Sequence, residues 1–284
     1  MNNTPKRNLD FHQTFKPERN CLNALLTDLR ECCGKGVQEI SQITGIPTGK
    51  SSGKVTPTIC YLEYMGLISE KFTNKKYDFD YTLLGQTVVM EDPGLMEPLT
   101  LLLLHCMIVR KGSGAELWNY IICELMPKYH GKISKANLEK ELSLYFDKAV
   151  NLAPFNGTYT GIFEPLNLMQ ITTNEYAMTS HMCNTEYIYL YAYILYEYWD
   201  QWVNALSEEE REKEKISKSE ITSIQLEATG FRLPFGWNEQ DEYVILQEMH
   251  DKNIIALNRQ MAPFSVRRIS SKEELIDLLY SELC

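Results

Sequence analysis

The sequence of 284 residues lacks the patterns that would assign it to several common classes. No apolar stretch reaches the ~20 residues that a transmembrane helix needs. The longest candidate, residues 99–109, contains His105 and is followed by Arg110 and Lys111. No apolar segment follows the basic residues near the N-terminus, as it would in a secretory leader. The eight cysteines include no C-x-x-C pair and no Cys/His cluster. We therefore expect a cytoplasmic protein with reduced thiols, no membrane segment and no zinc site.

The sequence also has little that would mark a catalytic centre. A metal-dependent nuclease needs carboxylates that converge on a divalent ion. The sequence contains no His-x-x-x-His and no Glu-x-Lys after a strand pattern. Asp78 and Asp80 could share a metal, although a solvated pair explains them more simply. His12 could act as a general base or could hold the N-terminal segment by a hydrogen bond, and His105 is expected in the core. We assign no catalytic residue and no metal ligand from the sequence.

Charge is distributed unevenly along the chain. The net charge of −10 argues against a surface that binds nucleic acid everywhere. The first 80 residues carry 11 Lys and Arg against 9 Asp and Glu, whereas the remaining residues carry 17 against 29. A polyanionic partner is therefore expected at the N-terminal part, and the acidic remainder suits protein partners or solubility.

The N-terminal part has the pattern of a winged helix-turn-helix. Leucines at helical spacing in residues 22–29 predict a first helix, and residues 37–43 predict a short second one. A third helix is predicted before Gly66. Residues 67–83 then alternate around a polar turn at residues 73–76, as expected of a basic β-hairpin.

The rest of the chain is predicted to be mainly helical. Residues 95–110 read as a central buried helix, and residues 159–178 as a second wing-like element. The tyrosine-rich residues 186–206 are compatible with a strand at their start, but their length favours a buried helix. Residues 207–218 are a charged linker. We predict a mainly α, α+β protein with three parts: an N-terminal segment plus winged helix-turn-helix (1–90), a helical middle domain with the second wing-like element (91–206), and a linker with a small α/β module (207–284).

Candidate DNA-contacting residues follow from the winged-helix interpretation. The start of a recognition helix and the wing are the parts that reach phosphates and grooves. A second basic spot lies near the C-terminus. The candidates are Lys50, Ser51, Ser52, Lys54 and Thr56 at the start of the third helix, Lys71, Lys75 and Lys76 in the wing, and Arg267 and Arg268 in the second spot. Residues 45–51 resemble a P-loop, but three residues instead of four separate the two glycines, and no apolar strand precedes them. A nucleotide-binding loop is therefore not expected here.

Four short motifs resemble those of the family called domain of unknown function four-thousand-and-seven. Residues 11–15, Phe-His-Gln-Thr-Phe, followed by Arg19, are similar to the opening of that family, with Gln13 in the place of a glutamate. Residues 84–93, residues 99–105 and residues 163–168 are similar to its later motifs, in the same order. The resemblance marks His12, Thr14, Phe15 and Arg19 as family-motif residues.

The resemblance implies a setting rather than a reaction. Proteins of this kind are encoded in DNA phosphorothioation operons beside sulfur-transfer enzymes, and one relative is described as the DNA-nicking subunit of an anti-phage system. The resemblance therefore implies DNA as a partner, and sulfur-transfer and ATPase subunits as further partners. Cys32, Cys33 and Cys60 could relay sulfur in that setting, but buried thiols without a flanking histidine are the simpler interpretation.

We thus expect a DNA-binding component of a phosphorothioation-associated modification or anti-phage defence system. Metal-dependent DNA nicking stays open, and Mg²⁺ or Mn²⁺ would be required only in that case. Two alternatives stay open beside it. One is a non-catalytic winged-helix transcriptional regulator, and the other is a scaffold that uses the winged-helix fold to hold partner proteins.

Overall fold

A computed structural model describes residues 9–49, 53–260 and 262–283 of the chain. The chain divides into two compact units, Met1–Thr179 and Ser180–Cys284. Helices alternate with small antiparallel sheets in both units, so the predicted α+β class is confirmed. In the part of the chain that the structure describes, no helix is long and apolar enough to span a bilayer.

The first unit begins with three helices and a hairpin. The elements are α1 (Arg19–Thr27), α2 (Val37–Thr44), α3 (Val55–Tyr64), β1 (Ile68–Thr73) and β2 (Lys76–Tyr81). Helix α2 ends at Gly45, whose φ of 71° is the left-handed conformation that glycine adopts without strain. The β-turn places Asn74 and Lys75 at positive φ, which suits the right-handed twist of a two-residue hairpin.

The middle of the first unit is built on a buried helix. The elements are α4 (Leu83–Glu91), α5 (Pro98–Ile108), α6 (Glu116–Asn119), a π-helical turn (Tyr120–Leu125) and α7 (Met126–Lys128). Every residue of α5 from Leu99 to Ile108 is buried, which confirms the prediction of a central buried helix. His105 is among them, and its Nδ1 lies 3.1 Å from the hydroxyl of Tyr159.

The first unit ends with a three-stranded sheet and two helices. The elements are β3 (Lys132–Ser134), α8 (Lys135–Phe146), α9 (Ala153–Tyr159), β4 (Met169–Ile171) and β5 (Glu175–Met178). Strand β5 lies between β3 and β4, antiparallel to both. The hydroxyl of Ser134 accepts the N–H of Asn137 and caps α8.

The second unit is built around one long helix. The elements are α10 (Ile188–Ala205), α11 (Glu208–Lys213), β6 (Glu220–Thr222), α12 (Ser223–Thr229), α13 (Glu239–Asp251), β7 (Ile255–Asn258), β8 (Ser265–Arg268) and α14 (Lys272–Asp277). The tyrosine-rich segment is a helix, as its length favoured, and it packs against α12, α13 and α14. Strand β8 pairs with both β6 and β7. The charged stretch after α10 includes the exposed helix α11, capped by Ser207.

Within the residues that the structure describes, the same order of elements occurs three times. In each case a short strand or bridge precedes two helices and a hairpin, and the second hairpin strand pairs with that first segment. The three sets are the Lys35–Tyr77 bridge with β2 and β1, the sheet β3–β5–β4, and the sheet β6–β8–β7. The third set has only a weak signal in the sequence, because β6 has three residues and β8 resembles no more than a short basic segment.

The division into two units differs from the three predicted parts. The units separate after Thr179, whereas the predicted boundaries follow residues 90 and 206. Helix α10, which the sequence analysis assigned to the middle domain, packs against helices of the second unit. The three-part division stays a prediction.

Candidate nucleic-acid interface

The strands of the hairpin present Lys71, Asp78 and Asp80 on one face, whereas Glu70 is half-buried on the other. Register pairs Lys71 with Asp78, Ser69 with Asp80, and Thr73 with Lys76, all on the outer face. The charges of Lys71 and Asp78 therefore lie directly opposite each other and offset one another. The aspartate pair faces solvent beside a lysine, and in the described residues no group of three His, Cys, Asp or Glu could hold a metal.

Positive charge is concentrated at the tip of the hairpin. Lys75 and Lys76 are exposed there, and Lys35 lies next to the tip because it bridges Tyr77. The pKa of the Glu39 carboxyl is lowered, mainly by its hydrogen bond from the N–H of Gly36. The positive charges of Lys35 and Lys76 lower it further. The tip is thus a small cationic surface, of the size that binds a few phosphates.

An exposed aromatic side chain accompanies this cationic tip. Phe72 is 53% exposed, and its ring lies 4.5 Å from that of Tyr77. Burial raises the pKa of the Tyr77 hydroxyl, and the hydroxyl of Thr56 at the start of α3 opposes that shift. The predicted contact residue Thr56 therefore lies near the hairpin.

The start of α3 is partly occupied by an ion pair. Lys54 donates to both carboxylate oxygens of Glu18, at 2.7 and 2.8 Å, and its ammonium lies 5.9 Å from the centre of the Phe15 ring. This geometry ties the N-terminal segment to α3 and leaves Lys54 less available for phosphate than the sequence analysis expects. Lys50, Ser51 and Ser52 lie outside the described residues.

The body of α3 offers no exposed side chain. All residues of Val55–Tyr64 are buried or half-buried, and none of them is a cation. They pack against α1, α2, α5 and β1. Base reading in the major groove uses exposed polar side chains, and the residues of α3 itself supply none; residues 50–52, which precede α3, lie outside the described part of the chain.

The family-motif segment packs onto α3. The ring of Phe11 contacts Tyr61, Tyr64 and Trp118 at centroid distances of 5.0, 4.7 and 5.8 Å. The hydroxyl of Tyr61 donates to the carbonyl oxygen of Phe15. The ring of Phe11 therefore packs against α3, and the backbone of Phe15 is joined to the same helix by Tyr61.

His12 is buried and holds a strained turn. Its Nδ1 accepts the N–H of Thr14 at 3.1 Å, so the ring is neutral with its proton on Nε2. Burial lowers the pKa of His12, and Asp10 opposes this only in part. Gln13 and Thr14 have φ of 44° and 74°. Such values are unusual for a β-branched residue, and strain of this kind clusters at functional sites. Of the two roles considered for His12 from the sequence, the structure shows the hydrogen bond within the N-terminal segment.

Two of the three cysteines singled out by the sequence, Cys32 and Cys60, lie in environments that suppress thiolate formation. Burial is the main cause for both: it raises the pKa of Cys32 to about 11 and that of Cys60 to about 12, with nearby carboxylates adding to it. A sulfur relay needs a thiolate. The interpretation as small buried residues therefore agrees better with the structure.

The two C-terminal candidates have different surroundings. Arg267 is exposed on β8. Arg268 binds Asp200 at 2.7 Å, and its guanidinium lies 4.2 Å from the Trp199 ring and 4.4 Å from the Tyr196 ring. The charge of Arg268 is therefore used within the second unit to join β8 to α10.

Replacing Arg267 and Arg268 one at a time is expected to distinguish an exposed arginine from one that stabilises the fold. Arg268→Ala should lower the free energy of unfolding by about 3 kcal/mol, because it leaves Asp200 with the longer Lys272 contact alone and removes the guanidinium from two rings. Arg267→Ala should change it by less than about 0.5 kcal/mol. Urea unfolding of the full chain measures both, and equal values would contradict the assignment.

The comparisons with known proteins identify a fold. No family model matches the sequence, and no curated protein matches it. Two solved structures are similar to it over 96% of this chain and 87% of theirs. One is described as an SspB crystal structure (TM-score 0.68, 16% identity), and the other as a magnesium ion-bound SspB crystal structure (TM-score 0.67, 17% identity). The chain has an SspB-like fold.

The likeness to SspB shows the fold alone. The resemblance to the family called domain of unknown function four-thousand-and-seven stays a prediction, because no family model supports it. A magnesium ion belongs to one of the SspB structures. The described part of this chain contains no group of three His, Cys, Asp or Glu residues that could hold such an ion.

Proposed function

We propose that this protein is a DNA-binding component of a phosphorothioation-associated modification or anti-phage defence system. The observation that carries the proposal is the SspB-like fold over 96% of the chain. The four family-like motifs identified in the sequence support the same setting. Sulfur-transfer and ATPase subunits are the further partners that this setting supplies.

Residues 19–81 act in this proposal as a winged helix that holds DNA by its phosphates. The Lys35–Tyr77 bridge supports that description, since it joins the segment between α1 and α2 to the hairpin. The cationic tip with Lys75 and Lys76 provides the contact. Binding through phosphates is salt-dependent. Because α3 itself has no exposed side chain that could contact base edges, we expect binding to depend little on DNA sequence.

This mode of binding favours a defence component over a transcriptional regulator. A regulator must distinguish one operator from other DNA, which requires side chains at base edges. DNA nicking with Mg²⁺ or Mn²⁺ is the finer hypothesis within the proposal. We assign no residue to that chemistry.

Supercoiled plasmid DNA tests the proposal. The full chain is incubated with plasmid in the presence and absence of Mg²⁺ or Mn²⁺, and DNA binding is titrated with salt in parallel. Salt-sensitive binding of unrelated duplexes with similar affinity is the expected result, and metal-dependent nicking would add catalysis. Tight binding of one sequence would favour the regulator instead. Absence of binding at low salt would contradict the DNA proposal and leave the scaffold.

A further inference from the structure

The second unit contains an acidic cavity at its α12–α13 pair. The cavity measures about 370 Å³ and is lined by α12, by the start of α13 and by the segment that enters β8. These helices hold the same place in the third set of elements as α2 and α3 hold in the first. The first turn of α13 carries Glu239, Asp241 and Glu242, a charge that repels nucleic acid.

One arginine neutralises only part of the charge in the cavity. Arg232 lies 3.0 Å from a carboxylate oxygen of Glu227, 3.8 Å from one of Glu239 and 3.9 Å from one of Glu242. Three carboxylates thus surround one guanidinium. The cavity therefore keeps a net negative charge, which a second cation would balance.

Glu242 provides an independent sign of a missing partner. The residue is 8% exposed, and its Oε1 is buried without a hydrogen-bond partner. Its other oxygen has only the long contact with Arg232. A buried carboxylate oxygen without a donor is costly, and this oxygen belongs to a residue that lines the cavity.

Aromatic groups complete the walls of the cavity. Tyr243 and Phe264 line it, with their ring centroids 6.2 Å apart. The guanidinium of Arg259 already lies 5.2 Å from the Tyr243 ring. Rings beside carboxylates favour a planar cation, which can stack and donate hydrogen bonds at once.

We propose that this cavity binds an arginine side chain of a partner protein, with Glu242 accepting hydrogen bonds from its guanidinium. The lysine ammonium is the weaker ligand, since it cannot stack on a ring in the same way. The cavity is formed by residues of the second unit, whereas the cationic hairpin tip belongs to the first, and the proposal does not depend on the proposed DNA function. The protein would then hold DNA with one set of elements and a basic partner segment with another.

A blocked Gly-Arg-Gly tripeptide titrated into the full ¹⁵N-labelled chain tests the proposal. Saturable shifts of the α12 and α13 amides are expected in two-dimensional NMR spectra. The same tripeptide with citrulline, the neutral isostere of arginine, should bind at least about tenfold more weakly, because it lacks the charge that meets the carboxylates.

Variants of the chain locate the interaction. Glu242→Gln should weaken binding of the arginine peptide by about tenfold or more. Glu239→Gln changes a side chain that is 85% exposed, so it leaves folding intact and should weaken binding by a smaller factor. Glu208→Gln removes the same charge from the exposed helix α11 and should leave binding unchanged.

The pH dependence of binding gives a further readout. Burial raises the pKa of Glu242 to about 7; Arg232 opposes this, and Glu227 and Glu239 add to it. The bound cation requires the ionised carboxylate, so the arginine peptide should bind more weakly at pH 6 than at pH 8. In Glu242→Gln this difference should disappear.

Two results would overturn the proposal. Equal binding of the arginine and citrulline peptides would show that charge is not recognised. Equal losses in Glu208→Gln and Glu242→Gln would show that the peptide responds only to the overall negative charge. Failure of the chain to bind DNA would leave the proposal unaffected, because the tripeptide assay contains no DNA.

Discussion

Replacing Lys75 and Lys76 by glutamate is expected to weaken binding of duplex DNA by about 10- to 100-fold at ~0.1 M salt. Both side chains are exposed at the hairpin tip, where the outer face otherwise pairs Lys71 with Asp78. Charge reversal removes two phosphate contacts and adds repulsion. The slope of log K against log salt concentration should fall in magnitude by about 2.

The matched control changes two lysines outside the proposed interface. Lys213 and Lys215 are exposed in and after the acidic helix α11, so Lys213→Glu with Lys215→Glu alters the net charge equally. We expect less than about a threefold effect on DNA affinity from that pair. Fluorescence anisotropy of a labelled duplex, with several salt concentrations for each variant, gives both the affinity and the slope. Equal losses in the two double variants would mean that net charge, not the tip, governs binding.

Gly85→Ala is expected to lower the free energy of unfolding by about 3–5 kcal/mol, or to prevent folding. Gly85 lies in the first turn of α4, where its N–H donates to the side chain of Thr82. A methyl group on Gly85 would overlap the backbone carbonyl of Leu67. Because backbone atoms meet there, a change of rotamer cannot relieve the overlap.

Gly94→Ala is the comparison for Gly85→Ala. A methyl group at residue 94 would meet the side chain of Met96, 60% exposed and flexible, so we expect a change below about 0.5 kcal/mol. Urea unfolding followed by circular dichroism measures both variants. A small effect in Gly85→Ala would contradict the close approach of α4 to the segment between α3 and β1. Leu84 and Gly85, which begin the family-like motif at residues 84–93, thus have a packing role.

Local patterns in the sequence predicted most helices and hairpins of the first unit. Helical spacing of leucines and the Gly45 break account for α1 and α2, and alternation around an Asn-Lys turn accounts for β1 and β2. These signals act over a few residues, so they can be read without the fold. Strands as short as β6 carry too little alternation to be recognised.

Candidate contact residues were harder to assess, because their availability depends on distant partners. Lys54 is engaged by Glu18, which lies 36 positions away, and Arg268 by Asp200, 68 positions away. The residues of α3, proposed as a recognition helix, are covered in part by α1, α2, α5 and β1 of the same unit. Nothing in the local sequence around these residues indicates such partners.

The sequence by itself determined the α+β class, the central buried helix, the first hairpin and the uneven distribution of charge along the chain. Tertiary structure decided which cations remain at the surface, and it brought the carboxylates of α12 and α13 around Arg232 and left an oxygen of Glu242 without a donor. The physical reason is the separation along the chain between the residues that interact. Helix and strand periodicity arises from neighbours along the chain, whereas burial and ion pairing arise from residues that only folding brings together.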